Sequence, residues 1–418
     1  MRILVVGAGG VGSAVPAIAQ RRAFFEHLTI ADVAPARAEA AVARLGEPDR
    51  FSSAQVDASD EAALVALIRE QRADAVLNAC DPRLNEPIFA ACHAARVTYL
   101  DMAMTLSRPH PTDPYGQTGV LLGELQLAQS EAWARAGQLA LVGIGVEPGL
   151  SDVFARHAAD ALFERIEEIG VRDGADLRVE GYDFAPTFSV WTTIEECLNP
   201  PLIWERARGW FTTEPFSEPE RFRFPEGIGE IECVNVEHEE VVLIPRWVDC
   251  ERVTFKYGLG REFIEVLKTL HKVGLDGTEP VRVRGGVEVA PRDVVAAALP
   301  DPATLGERMT GRTCAGTYVT GTGRDGRPRR TYLYHVVDNE WSMREYGTQA
   351  VLWQTALNPV VALELLANGS WSGAGVLGPE AFDAAPFLEL LADYGSPHGV
   401  EERSASPSDH ASGAISSE

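Results

Sequence analysis

Arg2-Ile-Leu-Val-Val-Gly7-Ala-Gly9-Gly10-Val11-Gly12 is the stretch that decides the fold. An apolar run of strand length leads directly into Gly-x-Gly-x-x-Gly, and each glycine has its own physical task. Gly7 permits the tight strand-to-helix turn, Gly9 lets backbone N–H groups approach a pyrophosphate without a Cβ in the way, and Gly12 lets helix and strand pack closely. Phosphates then lie at a helix N-terminus, where unpaired N–H groups and the helix dipole favour negative charge. Gly10 and Val11 complete the loop.

A glycine loop alone recurs in unrelated turns, so its surroundings decide. Residues 13–22 read as a helix and 28–31 as a second strand ending on Asp32. A carboxylate about 20 residues beyond the last glycine is placed to accept a hydrogen bond from the adenosine ribose 2′-hydroxyl and to repel a 2′-phosphate, which points to NAD. Arg37 lies close enough to keep NADP open. Ligands of an open α/β sheet bind beyond the carboxyl ends of its strands. Val33, Asp57 and the loop Asn78-Ala79-Cys80 are therefore expected to complete the dinucleotide site.

The alternation continues with strands at 53–56, 75–79, 98–101 and 139–143 and helices at 36–45, 61–70, 86–95 and 123–136. This is an α/β pattern, a doubly wound parallel sheet over residues 1–150. Beyond it the pattern changes to longer strands (166–171, 177–181, 253–256) and a hairpin signal, Gly323-Arg-Asp-Gly-Arg-Pro328. Helical periodicity marks 191–204 and 261–273. A second, mixed α/β domain over 151–345 accounts for these features, and residues 346–396 read as further helices. Residues 397–418, rich in Ser and Ala, read as a disordered tail.

The chain of 418 residues carries 61 acidic side chains against 37 Lys and Arg, a net charge of −24. That balance opposes binding to nucleic acid or anionic membranes but not to a cationic substrate. No apolar run of bilayer length and no secretory signal is recognised, so a cytoplasmic protein is expected. Six scattered cysteines without C-x-x-C spacing argue against a disulfide framework and a zinc site, and no metal is expected. The absence of a Gly-x-Ser-x-Gly motif argues against a hydrolase.

Candidate substrate-facing residues follow from position. Asn78 and Asp81 lie at a strand's carboxyl end. Tyr99, Asp101 and Glu147 occupy the next such loops, although Tyr99 is equally readable as a core aromatic and Asp101 as a capping carboxylate. Asp183 and Glu196 sit beside aromatic residues in the second domain. Thr192 or Thr193 with Glu195 or Glu196 also reads as a helix cap. His238 lies in Glu237-His-Glu-Glu240, where an imidazole among carboxylates is poised as an acid or base, with Arg246 behind it as a carboxylate partner.

Taken together, Val5–Gly12, Tyr99-Leu-Asp101-Met-Ala, Gly145-Val-Glu-Pro-Gly-Leu-Ser-Asp152, Thr254-Phe-Lys-Tyr-Gly258 and Gly375-Val-Leu-Gly-Pro-Glu380 resemble the saccharopine dehydrogenase family. That family includes saccharopine reductases, lysine 6-dehydrogenases and carboxynorspermidine dehydrogenases. The resemblance implies a Rossmann domain interrupted by a second α/β domain that also forms a homodimer, with the last helices returning to the first domain. It implies hydride transfer between a nicotinamide and a carbon bearing nitrogen, with Tyr99 and Glu147 at the substrate. The chain has Glu147 where saccharopine reductases have Asp, and Glu180-Gly-Tyr-Asp183 where they carry Cys-Gly-Gly. The reading is an NAD-dependent dehydrogenase of a small basic amino acid or its secondary-amine derivative, like lysine 6-dehydrogenase or saccharopine dehydrogenase. The alternatives are an NADPH-dependent reductase forming saccharopine or a carboxy-polyamine, and a non-catalytic NAD-binding scaffold.

Overall fold

The computed structural model describes residues 1–404. Seven parallel strands form the first sheet, in the order Gly375–Leu377, Leu139–Leu141, Thr98–Asp101, Ala75–Asn78, Arg2–Val6, His27–Asp32, Phe51–Gln55. Arg2–Val6 pairs with His27–Asp32 on one side and Ala75–Asn78 on the other. The strand order therefore reverses at the glycine loop, which is where a doubly wound sheet opens a crevice. The strand at Gly375–Leu377 returns to this sheet from the far end of the sequence.

The second sheet runs Gly209–Thr212, Leu202–Glu205, Cys250–Gly258, Phe163–Ala175, Arg312–Gly323, Pro328–Asp338, Gly399–Glu402, with Gly229–Asn235 also paired to Cys250–Gly258. Its central pair, Cys250–Gly258 and Phe163–Ala175, is parallel and sets Tyr257 beside Asp173. The Gly323 to Pro328 segment makes the antiparallel turn expected of it.

Three expectations are corrected. The single helix over 191–204 is a helix, Val190–Leu198, followed by a strand, Leu202–Glu205. Pro200 and Pro201 follow Asn199, whose extended ψ of 156° ends the helix as a residue before proline does. Its N-cap is Ser189, accepting from the Thr192 N–H, which leaves Glu195 and Glu196 beyond the first turn. The expected tail is ordered at its start: Gly399–Glu402 pairs with Pro328–Asp338, and Glu402 ion-pairs with Arg329, while residues 405–418 lie outside the described residues. Lastly, the helix Ala350–Asn368 is long and apolar enough to cross a bilayer by length and composition, contrary to the sequence reading. It is instead a core helix, buried over most of its length, whose Gln354 donates to the His335 carbonyl at 2.9 Å.

Helix Leu150–His157 is joined to the segment after Gly375–Leu377 by an acid pair. Asp152 accepts from the Gly149 N–H at 2.7 Å, but its other oxygen and both Glu380 oxygens are buried without a donor. Burial, then mutual repulsion, raises Asp152 well above the carboxylate range, and burial pushes Glu380 up to about 7. The folded state thus holds protons that the unfolded chain releases near pH 4 to 5, so stability falls as pH rises through that window toward 7. Glu380→Gln is expected to raise Tm relative to the wild type progressively between pH 5 and pH 8, by about 2–4 °C for each 1 kcal/mol recovered. Thermal melts across that range check it; a Tm difference independent of pH contradicts the shared proton.

Candidate active site

The glycine loop is built as the motif requires. Gly7 has φ +103°, and a Cβ there would lie 2.6 Å from the Ala79 carbonyl oxygen. A Cβ on Gly12 would lie 2.0 Å from the Gly7 carbonyl oxygen, whereas one on Gly9 would meet nothing within 4 Å. Gly9 therefore presents bare backbone to open space beside the crevice, which is the cradle a pyrophosphate needs. Gly10, Val11, Asn78, Ala79, Cys80 and Asp81 line the cleft at this point.

Asp32 accepts from the Ala8 and Ala34 N–H groups, both at 2.8 Å, and so clamps the glycine loop to the turn after the second strand. Val33 is exposed beside it. Asp57 faces solvent and accepts from the Ser59 N–H and hydroxyl, outside the cleft lining.

The cleft, about 830 Å³, lies between the two sheets. Its lining carries the carboxyl side chains of Asp81, Glu147, Asp173, Glu196, Glu239 and Asp301, and among the described residues that line it there is no Lys, Arg or His. Glu147 sits in the turn before helix Leu150–His157, with both oxygens lacking a donor and its carboxyl against Asp173. Burial and the Asp173 charge hold Glu147 well above the carboxylate range, and burial takes Asp173 up to about 6. Two carboxyls in contact share a proton because they cannot both ionise cheaply. Burial also pushes Glu196 up to about 8.

Behind this wall lies His238. Its Nδ1 is 2.5 Å from Glu240 and 3.5 Å from Glu239, and its ring stacks on Phe255 at 3.7 Å. Its Nε2 lies 3.4 Å from the Tyr257 hydroxyl, which in turn lies 3.4 Å from Glu196 and lines the cleft. Burial lowers the imidazole, but Glu240, Glu196 and Glu239 outweigh it and raise His238 to about 10. It is an imidazolium, not a group poised near neutrality.

Other predicted residues lie elsewhere. Tyr99 is wholly buried, packed edge-on against Phe89, and donates to Asp101 at 2.9 Å. Asp101 also accepts from the Gly143 N–H at 2.7 Å and from Gln126, while Asn78 donates to the Tyr99 oxygen at 3.1 Å. Tyr99 and Asp101 therefore brace the loops from behind rather than face the cleft. Asp183 is exposed and outside the lining. Arg246 is also outside it, donating to the Val242 carbonyl with its guanidinium over Trp210. Sequence reasoning missed Asp173, Glu239, Glu240 and Tyr257. The alternation Phe255-Lys256-Tyr257 was the available signal, since it sets both aromatics on one face of a strand.

The profile described as the saccharopine dehydrogenase NADP binding domain matches residues 3–141, and that of the saccharopine dehydrogenase C-terminal domain matches 145–396. The chain belongs to the saccharopine dehydrogenase family. It is an NAD(P)-dependent oxidoreductase. It is 30% identical over 410 residues to a carboxynorspermidine synthase of Vibrio alginolyticus, covering 96% of this chain and 97% of that one. It is 28% identical to a carboxyaminopropylagmatine dehydrogenase of Synechocystis, covering 95% and 96%. Among solved structures, apo saccharopine dehydrogenase (L-Glu forming) from Saccharomyces cerevisiae shares the fold, with a TM-score of 0.69 at 14% identity over 96% of this chain and 100% of that one.

Two glycine variants separate folding from dinucleotide binding. Gly12→Ala drives a Cβ into backbone and is expected to lower Tm markedly, whereas Gly9→Ala leaves Tm within about 2 °C but weakens NADPH or NADH binding tenfold or more, about 1.4 kcal/mol. Thermal melts and fluorescence titration with the reduced dinucleotide check both. Unchanged binding by Gly9→Ala removes the loop from the coenzyme site.

Proposed function

We propose that the enzyme forms or cleaves the secondary C–N bond of a polyamine bearing a carboxyl group, with the reductive direction and NADPH favoured. The observation that carries this is the acid-only wall of the cleft, which suits a substrate with more than one ammonium group. The names of the two relatives, each a polyamine carrying a carboxyl group, support the same substrate class. Of the readings made from sequence, the carboxy-polyamine alternative gains both supports, whereas a lysine-like substrate, which also carries two ammonium groups, gains only that of the acid wall.

The nicotinamide coenzyme, held by Gly7 to Gly12 and the loop Asn78 to Asp81, supplies the hydride when bound. The protein does the rest. Glu147, Asp173, Glu196 and Glu239 receive the amine, and the proton shared by Glu147 and Asp173 leaves as an ammonium group arrives, so charge is replaced rather than added. At the mouth, Trp191 lies under the guanidinium groups of both Arg83, 4.2 Å from the ring centroid, and Arg292, at 4.6 Å. Arg83 belongs to the first domain and Trp191 to the second, so this stack joins the two across the opening. Asp32 spends one oxygen on the Ala8 N–H and the other on the Ala34 N–H, and Arg37 is exposed on the helix that follows, which supports a cationic partner for a 2′-phosphate and NADPH.

The test is oxidation of NADPH and NADH with a diamine or agmatine and a four-carbon α-amino acid aldehyde, beside NAD(P) reduction with lysine and saccharopine. Turnover of the amine and aldehyde pair with NADPH is expected. Turnover of lysine or saccharopine alone overturns the reading. Asp173→Asn is expected to raise the KM for the amine about tenfold, roughly 1.4 kcal/mol, while the KM for the coenzyme stays within about twofold.

A further inference from the structure

Resting on that reading of the reaction, we propose that Tyr257 is the proton donor to the reacting C–N centre and that His238 and Glu240 form the relay that recharges it. Four elements converge to build the relay. Tyr257 comes from strand Cys250–Gly258, Glu196 from helix Val190–Leu198, His238 from the loop before helix Glu240–Trp247, and Glu240 from that helix's first turn. Glu240 is wholly buried and held twice: one oxygen lies 2.5 Å from His238 Nδ1, and the other accepts from the Ser151 hydroxyl at 2.8 Å. The stack on Phe255 fixes the plane of the imidazole, so that Nε2 has one polar direction to point, toward the Tyr257 oxygen.

The acids of the cleft are committed to holding ammonium groups, and a carboxylate that has given up its proton to admit a cation has none to donate. Tyr257 differs from them. It lines the cleft with its hydroxyl 3.4 Å from the cleft-lining Glu196, it is not ionised at neutral pH because burial and Glu196 hold its pKa well above the usual value, and behind it stands a proton source that substrate does not touch. The 3.4 Å separations on either side of its oxygen are long for hydrogen bonds in an unliganded site and tighten when a substrate group fills the gap.

The step is dehydration of the carbinolamine that forms when an amine adds to an aldehyde. The nitrogen lone pair forms C=N as the C–O bond breaks, and the departing hydroxyl takes the Tyr257 proton and leaves as water. The phenolate is neutralised by the Nε2 proton of His238, which becomes neutral imidazole and keeps its Nδ1 contact with Glu240. One proton has moved from His238 to water, and the substrate has become an iminium cation, which the acid wall stabilises. His238 and Glu240 touch no substrate and act as positioning and charge-setting residues.

The titratable groups facing His238 are Glu239 and Glu240 from its own segment, Glu196 from the adjacent helix, Tyr257 from the neighbouring strand and Asp173 from the one beyond. Glu240 is the largest of those favouring the imidazolium. The loaded relay is the protonated one, so activity is lost as pH rises through the His238 pKa, and removing the Glu240 charge lowers the pH at which that happens.

Two variants and one spectroscopic reading test the relay. Tyr257→Phe, which keeps the ring and its packing, is expected to lower kcat at least 100-fold with the coenzyme Kd unchanged. Glu240→Gln is expected to move the alkaline limb of kcat/KM at least one unit toward lower pH. A Tyr257→Phe enzyme within threefold of wild-type kcat, or a Glu240→Gln profile that superimposes on the wild type, overturns the proposal. Imidazole NMR of substrate-free enzyme, with the His238 signal assigned by His238→Gln, is expected to show His238 charged at pH 8 in the wild type and neutral in Glu240→Gln. A neutral wild-type His238 at pH 8 overturns the relay whether or not any amine is turned over. Failure of the amine and aldehyde panel with His238 charged overturns the substrate reading alone.

Discussion

Carboxyl groups outnumber their cations around one imidazole, and the site is organised by how that excess is tolerated. Asp173, Glu196, Glu239 and Glu240 gather around His238, with Glu147 against Asp173 and with Asp152 and Glu380 beyond Glu240. Ionising all of them in a desolvated place would cost far more than the fold's net stability. Three devices relieve the excess. Two pairs hold protons, His238 carries one positive charge, and backbone or side-chain donors satisfy oxygens such as those of Glu239 and Glu237. What remains unsatisfied opens onto the cleft.

The second sheet keeps this excess from cancelling. Along Cys250–Gly258, Phe255 and Tyr257 point toward His238 and the cleft, while Lys256 points to the other face, where its ammonium meets Glu218 and Glu220. On the adjoining strand Asp173 faces the cleft and Arg172 faces away, paired with Glu220. Period-two alternation thus sorts charge by face: bases and acids neutralise each other behind the sheet, and acids alone front the cleft. A one-residue slip in either strand would place Lys256 or Arg172 in the cleft and cancel the field that selects a cation.

This also explains what was legible in the sequence. The first domain was readable because its information is local: a glycine loop, strand and helix periods, and Asp32 at a strand end. Glu147 was readable because a glycine-flanked turn at a strand's end announces itself. Tyr99 and Asp101 sit at an equally conspicuous strand end, yet their side chains turn inward to brace Gly143 and Asn78, and nothing local tells inward from outward. Asp173 and Tyr257 are 84 positions apart and meet only through the pairing register of two parallel strands. Sequence spacing carries no trace of that register, and the role of His238 depended on it, because the acids and the tyrosine around it fix its charge.

Tolerating the excess has a consequence for binding that a neutral pocket would not have. A dry, uncharged cleft would have to strip water from an ammonium group with no compensation, whereas a pre-ionised one would be costly to fold. A cleft in which Glu147 and Asp173 share a proton at rest avoids both, because the second carboxylate appears only when the cation that needs it arrives. The same protons cannot then serve the chemistry, since the bound substrate has displaced them. A site built this way requires a separate proton source, shielded from the substrate and held charged chiefly by a group outside the cleft lining, and His238 on Glu240 is the imidazole the fold buries in that position.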